Sequence, residues 1–305
     1  MFRGVLLSML ALALSLCSAR AQLLYKISGN GLSKPSYIIG TFHLASASFV
    51  DDIPGAHEAL NAVEQVCGEI DITLQQDPEY ALHVSELAVL PFGLHIDDLF
   101  SEEEMARINE YMHKVVYFDF TNDYIYSTTG RLRPMTIASD LTMMLYAELV
   151  PNYDSSSLID SYFQLEAHRR GLSCIAFETP DFQDKIVYLP RTLEQERNEL
   201  LAIIDYTDAY VASLKQIVDA YYSQNMRRIG RVLYGVGNRV DDYDDVMIVE
   251  RNKNWMRLMP QIMADKSTLF VVGAGHLPKS YGLVRLLRQA GYKVTAVRNK
   301  NQVEE

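Results

Sequence analysis

The sequence predicts an α/β fold: a mixed central sheet flanked by helices, with a helical middle. Three observations carry this. An apolar run, Tyr37-Ile38-Ile39, leads into Gly40-Thr41-Phe42-His43-Leu44. Near the other end, Leu269-Phe270-Val271-Val272 leads into Gly273-Ala274-Gly275-His276-Leu277. Each run reads as a buried strand, a sharp Gly turn, a histidine, a helix and then a further strand. Between the two strand–GxxH–helix–strand units, the pattern is that of successive capped helices.

The elements follow in order. Residues 1–21 read as a signal peptide, with Arg3 in a positive n-region, an apolar h-region over 5–16, and Ala19-Arg20-Ala21 as a small-x-small cleavage site. That apolar stretch is too short for an ordinary membrane span. Leu16 before Cys17 argues against lipoprotein processing. Residues 22–305 are then one exported domain, periplasmic or secreted, with no transmembrane span after cleavage. Leu23-Leu24-Tyr25-Lys26-Ile27 is a first strand, closed by the Ser28-Gly29-Asn30-Gly31 turn. After the strand at 37–39, Pro54 opens a helix through about Val66, and Glu69-Ile70-Asp71-Ile72 is the next strand. Ser101-Glu102-Glu103-Glu104 is a capping box for a helix to about Val115, its acids favoured by the helix dipole. Further helices are expected over 134–149, over 158–170, over 193–222 with a break, and over 245–263. The methionines of the 134–149 helix are core filler. Cys174-Ile175-Ala176-Phe177 is a buried strand ending at Glu178. A helix over 281–289 and a strand over 293–297 complete the second unit.

Charge limits function. Removal of residues 1–21 takes away Arg3 and Arg20 and no acid, so the net charge moves from −11 to −13. Nonspecific nucleic-acid binding is thereby disfavoured. Cys67 and Cys174 remain, as a disulfide or as two buried thiols, and form no disulfide framework.

Strands that end in such turns deliver side chains to the carboxyl edge of a sheet, where α/β proteins bind ligands. His43 and His276, presented from opposite ends of the chain, are expected to converge on a divalent metal or on paired acid–base chemistry. Gly40 and Gly273 permit unusual backbone angles or close approach. Glu69, with Asp71 on the same strand face, and Glu178 are carboxylates among apolar neighbours, placed to ligate a cation or activate water. In Glu250-Arg251-Asn252-Lys253-Asn254-Trp255, Arg251 is suited to clamping a carboxylate or an oxyanion, and mid-helix asparagine favours a functional role. His57, His83, His95, His113 and His168 lack the repeated context and read as surface or core-edge histidines. Tyr221-Tyr222 can line a peptide or sugar groove, though packing is the commoner role.

These motifs, in this order along nearly all of the mature chain, resemble the TraB/GumN family, which includes the Tiki proteins. The resemblance implies a fold similar to the erythromycin-esterase and ChaN-like proteins. It also implies a metal-dependent hydrolase, a peptidase using manganese or cobalt, with zinc as a further option. His43, Glu69 and His276 would be the metal ligands, with Glu69, Arg251, Asn254 and Glu178 as catalytic residues. No organic cofactor is expected, and the partner is a peptide or small-molecule substrate. Erythromycin esterases suggest a metal-free, histidine-dependent alternative, and pheromone-inhibiting relatives suggest a non-enzymatic binder of a peptide signal.

Overall fold

The computed structural model describes residues 22–117, 119–187, 191–235 and 245–298. The predicted leader at 1–21 lies outside them. A six-stranded mixed sheet forms the frame: β1 (Leu24–Ser28), β2 (Ser36–Thr41), β3 (Gln65–Gly68), β4 (Ser173–Ala176), β5 (Thr268–Gly273) and β6 (Lys293–Ala296), in the order β4-β3-β5-β2-β1-β6. The first four strands in that order run parallel, and β1 is antiparallel to both β2 and β6. Four carboxyl ends therefore share one edge of the sheet. β5 is buried almost throughout, which suits a central parallel strand covered on both faces.

The two histidine units meet because their strands pair. β2 and β5 are neighbours in register, with Gly40 opposite Val272 and Thr41 opposite Gly273. A Cβ on Gly40 would stand 2.8 Å from Leu277 Cδ1 and 3.0 Å from Ala274 Cα, so the second turn needs glycine here for room. Neither Gly40 nor Gly273 has a positive φ. Close approach explains Gly40, whereas a Cβ on Gly273 would meet its nearest neighbours at 3.4–4.0 Å, ordinary contact distances.

Between β2 and β3 lies α1 (Ala56–Ala62), shorter than the sequence predicts. Val63 turns extended, and Gln65-Val66-Cys67 joins the sheet against Thr268, Leu269 and Phe270 of β5. Burying that run against β5 overrides the helical pattern that reaches Val66. The strand predicted over 69–72 is accordingly four residues late, since β3 spans Gln65–Gly68. Glu69 lies just past β3, and Asp71 caps a 3₁₀ turn (Ile72–Gln76) by accepting from Thr73 N. Asp71 therefore does not share a strand face with Glu69.

The helical middle comprises α2 (Pro78–Leu87), α3 (Glu102–Val116), α4 (Asp123–Thr129), α5 (Pro134–Leu149) and α6 (Ile159–Arg169) before β4. After β4 come α7 (Pro180–Val187), α8 (Leu193–Asp205), α9 (Thr207–Tyr222) and α10 (Met226–Tyr234). Ser101 and Glu104 form the predicted capping box. The predicted break in the 193–222 stretch falls at Tyr206. A π-helical turn (Asp245–Glu250) runs into α11 (Arg251–Asp265), and a 3₁₀ turn (Ala274–His276) and α12 (Leu283–Gln289) follow β5.

Two apolar clusters result. One packs around the sheet and includes Trp255, Phe163, Phe270 and Ile38. The other joins α3, α5, α8 and α9 through Ile108, Leu141, Leu200 and Val218. Phe42, beside His43, and Tyr222 pack against both. Cys67 and Cys174 are both free thiols. Cys174 pairs laterally with Val66, so Cys67 points to the opposite face of the sheet and no bridge can form between them.

Candidate active site

Every strongly suspected side chain except Asn254 lies at the carboxyl edge of the parallel strands. His43 follows β2, Glu69 follows β3, Glu178 follows β4 and His276 follows β5. Backbone bonds from Phe177 N to Gly68 O and from Glu178 N to Glu69 O carry the β3–β4 pairing past the strand ends. Those bonds hold the two glutamates side by side.

Gly273 marks the centre. A Cβ there would stand 3.4 Å from Glu69 Oε1, 3.7 Å from His276 Cδ2 and 4.0 Å from His43 Nε2. Three reactive groups from three segments thus surround the space left by one missing methyl.

His276 is buried, and its hydrogen bonds fix its tautomer. Asn252 Nδ2 donates to the carbonyls of His276 and Tyr281, which leaves Asn252 Oδ1 facing His276 Nδ1 at 2.7 Å. Nδ1 therefore carries the proton. Nε2 presents its lone pair, 3.3 Å from Arg251 Nη1 and 3.8 Å from Glu69 Oε1. Burial holds the ring well below the ordinary histidine pKa, at about 3. His43 is the opposite case. Its side chain is 74% exposed, and Nδ1 lies 3.2 Å from Asp160 Oδ1. Asp160 raises the His43 pKa, a pull that solvent around the ring screens. Asp160 also accepts from the Thr41 hydroxyl at 2.5 Å, and its Oδ2 is buried with no hydrogen-bond partner among the described residues.

Arg251 sits between the glutamates. Glu178 takes Nε at 2.8 Å and Nη2 at 2.9 Å, while Nη2 also meets Glu69 Oε2. Glu178 further accepts from Trp255 Nε1 at 2.8 Å and from Gln183 Nε2 at 3.1 Å. With four donors on its two oxygens, Glu178 anchors Arg251 and has little capacity left to act as a base. The guanidinium rests over the Trp255 ring, 4.8 Å from its centroid. Trp255 stacks in turn on Phe177, and Phe177 on Phe270. The π-helical turn before α11 brings Met247 O within 3.3 Å of Arg251 Nη1. Burial alone would raise the Glu69 pKa, but charged surroundings and the Gly273 N–H reverse this and hold it at about 2. His276, then Arg251 and His43, supply that charge, so Glu69 and His276 titrate as a pair.

Glu69 is therefore the carboxylate nearer the histidines. Asn254 accepts from Arg257 on the outer side of α11 and does not reach the cluster. The stripe formed by Trp255, Met259 and Met263 is buried, and Asn252 falls on it where Asn254 does not. That register was the signal that distinguishes the two asparagines. Asp160 was missed because an acid in the first turn of a helix reads as dipole complementarity. His57, His83 and His113 face Asp51, Asp184 and Asp119 outside the cluster.

The donor chemistry suits a divalent cation. Each histidine has Nδ1 held by an oxygen, leaving Nε2 toward the centre, an arrangement common to metal-binding imidazoles. Glu69 and Glu178 pair with one guanidinium and Asp160 pairs with His43, so the cluster holds two surplus negative charges when both rings are neutral. As the side chains stand, no three His, Cys, Asp or Glu among the described residues converge to hold an ion. Both Glu69 oxygens are engaged, one by Gly273 N at 2.7 Å and the other by Arg251. Arg251 also engages His276 Nε2 at 3.3 Å, so both His276 and Glu69 could ligate an ion only where Arg251 releases them.

A family profile described as TraB/PrgY/gumN matches residues 23–296. The chain belongs to the TraB/PrgY/gumN family. Among curated family relatives, it is 21% identical to Metalloprotease TIKI1 of Danio rerio over 313 residues, covering 85% of this chain and 60% of the relative. It is 20% identical to Metalloprotease TIKI2 of Danio rerio, covering 85% of this chain and 58% of that relative. The chain thus spans about three-fifths of the length of these relatives. No solved structure matches it. Among the described residues, no helix is long and apolar enough to cross a membrane.

Proposed function

We propose that the mature chain is an exported metal-dependent hydrolase that cleaves peptide bonds at the His43–Glu69–His276 centre. The single observation that carries this is the convergence of those three groups on the space beside Gly273. The relatives named as metalloproteases support the reaction class. His43 and His276 would hold a divalent cation, manganese, cobalt or zinc, through Nε2. The chemistry such an ion supplies is a lowered water pKa and a polarised carbonyl.

The chain's own residues do the remainder. Arg251, locked by Glu178 and Trp255, presents a fixed positive charge where a carbonyl oxygen gains negative charge. Glu69, ionised to about pH 2, is too weak a base for free water, and its role is electrostatic. Asn252 and Asp160 orient the two rings.

One observation favours a second, metal-free reading. The Asp160–His43 pair lies beside the Glu69–Arg251 pair, which gives a histidine base, an orienting carboxylate and a cation without any ion. Purified mature protein would be incubated with a peptide mixture after exhaustive chelation and again with added Mn²⁺, Co²⁺ or Zn²⁺, and products read by mass spectrometry. The metal reading expects cleavage only with an ion, and its loss in His43→Ala and His276→Ala that keep the parent circular dichroism. Full activity after chelation would transfer the assignment to the metal-free reading. Peptide binding without cleavage under every condition would leave a binder of peptide signals.

A further inference from the structure

The reactive groups lie on a seam between two unlike cavities. One, of about 240 Å³, is walled by Ile217 of α9, by Ile229, Val232 and Leu233 of α10, and by Ile248 of the π-helical turn. Among the described residues, its charged or titratable lining groups, tyrosines aside, are His43, Glu69, Arg251 and His276. The other, of about 360 Å³, adds Asp160, Ser161, Gln164 and Gln183 to the shared His43, Glu69 and Arg251. A substrate lying across the centre must place one flank in each chamber.

We infer that the smaller cavity is a specificity pocket for a bulky apolar side chain, of the size of Leu, Met or Phe, adjoining the cleaved bond. The inference rests on the hydrolase reading and names its substrate class. Three observations support that occupant. First, the cavity is continuous with the reactive centre and shares its residues. Second, an engineered apolar cavity of about 150 Å³ already holds benzene, so the larger space here accepts an aromatic or branched aliphatic group. Third, Leu233 on its wall is 37% exposed, apolar surface that an apolar substrate group would cover. A charged side chain would lose its hydration against these aliphatic residues. Glycine would leave the pocket empty.

The test uses the peptides acetyl-Gly-X-Gly-Ser-amide and acetyl-Ser-Gly-X-Gly-amide, with X as Leu, Phe, Gly, Asp or Lys. Cleavage is followed on the active protein, and binding by calorimetry on His43→Ala. We expect Leu and Phe to exceed Gly, Asp and Lys by tenfold or more in kcat/KM and in affinity. Leu233→Asp should collapse that ratio toward one while retaining the parent melting temperature. Ile248→Ala, which widens the wall, should shift preference from Leu to Phe and serves if Leu233→Asp does not fold. Cleavage with no dependence on X overturns the pocket and leaves the hydrolase standing. Preferential binding of Leu and Phe peptides without cleavage supports the pocket and removes the hydrolase. A change in Leu233→Asp that is equal for every X also overturns the pocket.

Discussion

Glu178→Gln separates a role in anchoring Arg251 from a role in chemistry. The carboxylate accepts from Arg251 Nε, Arg251 Nη2, Trp255 Nε1 and Gln183 Nε2. Glutamine has nearly the same shape but keeps one acceptor oxygen, so its amide must face two of those donors. Breaking one side of a buried pair costs about 3–5 kcal/mol, and because Arg251 retains Glu69 we expect the lower end, about 3 kcal/mol. With about 2–4 °C per kcal/mol for a domain of this size, the melting temperature should fall by about 6–12 °C. The chain has one tryptophan, Trp255, and it touches both Glu178 and Arg251. Denaturant unfolding followed by its fluorescence therefore reads the perturbed site directly. Glu250→Gln, whose carboxylate meets Lys253 in solvent, is the control and should leave the midpoint unchanged. Unfolding of Glu178→Gln within about 1 kcal/mol of the parent would refute the anchoring argument, because so small a change lies below the cost of breaking a buried pair.

Three further outcomes are expected. Gly273→Ala has a backbone conformation open to alanine (φ −53, ψ 136), so it should fold normally by circular dichroism. It should nonetheless lose most activity, because its methyl occupies the space between His43, Glu69 and His276. In the chelated protein, burial keeps His276 neutral to about pH 3, whereas the unfolded chain protonates near 6.5. The unfolded state then binds the extra proton, so stability should fall as pH drops through that window, by up to about 1.4 kcal/mol per pH unit, and His276→Gln should flatten the slope. Glu69 should add a second loss below pH 4.5, since its folded pKa is depressed to about 2. Thiol titration of mature protein in denaturant after exposure to air should return two free thiols per chain, because Cys67 and Cys174 face opposite sides of the sheet.

The parts of this site that could be read from sequence are those written as local pattern. Two apolar runs, each closed by a Gly turn and a histidine, encode paired strands, and the β2–β5 register places their ends together. The capping box at Ser101 and the helix from Pro134 to Leu149 are likewise local and appear as predicted. What sequence patterning misses is set by packing at a distance. Val66 looks helical until β5 is beside it, so the strand that presents Glu69 was placed too late. Asn252 and Asn254 differ only in which side of α11 meets the sheet. Glu178 reads from sequence as a candidate ligand or base, and only the fold brings Arg251, 73 residues away, between it and Glu69.

Helix α6 ties the two sides of the site together. Asp160, in its first turn, holds Thr41 and His43. Gln164, one turn later on the same face, donates to Ile70 O at 3.0 Å and accepts from Ile72 N at 3.2 Å. Those bonds fix the segment that begins at Glu69, and Gly68 leaves the room that the Gln164 amide needs. A rigid helix gripping both flanks makes the positions of His43 and Glu69 interdependent. Gln164→Met keeps the bulk but leaves Ile70 O and Ile72 N unpaired, a cost of about 1–3 kcal/mol for each group that stays buried. Asp160→Asn weakens the hold on His43, a change worth about 10–100-fold in activity for groups that orient a ligating histidine. Once either grip is lost, α6 can shift and the other grip is already loosened. The double variant should therefore lose less activity than the product of the single losses. Losses in kcat/KM that multiply, to within about 0.5 kcal/mol of additivity, would show the two sides to be independent and remove α6 from that role.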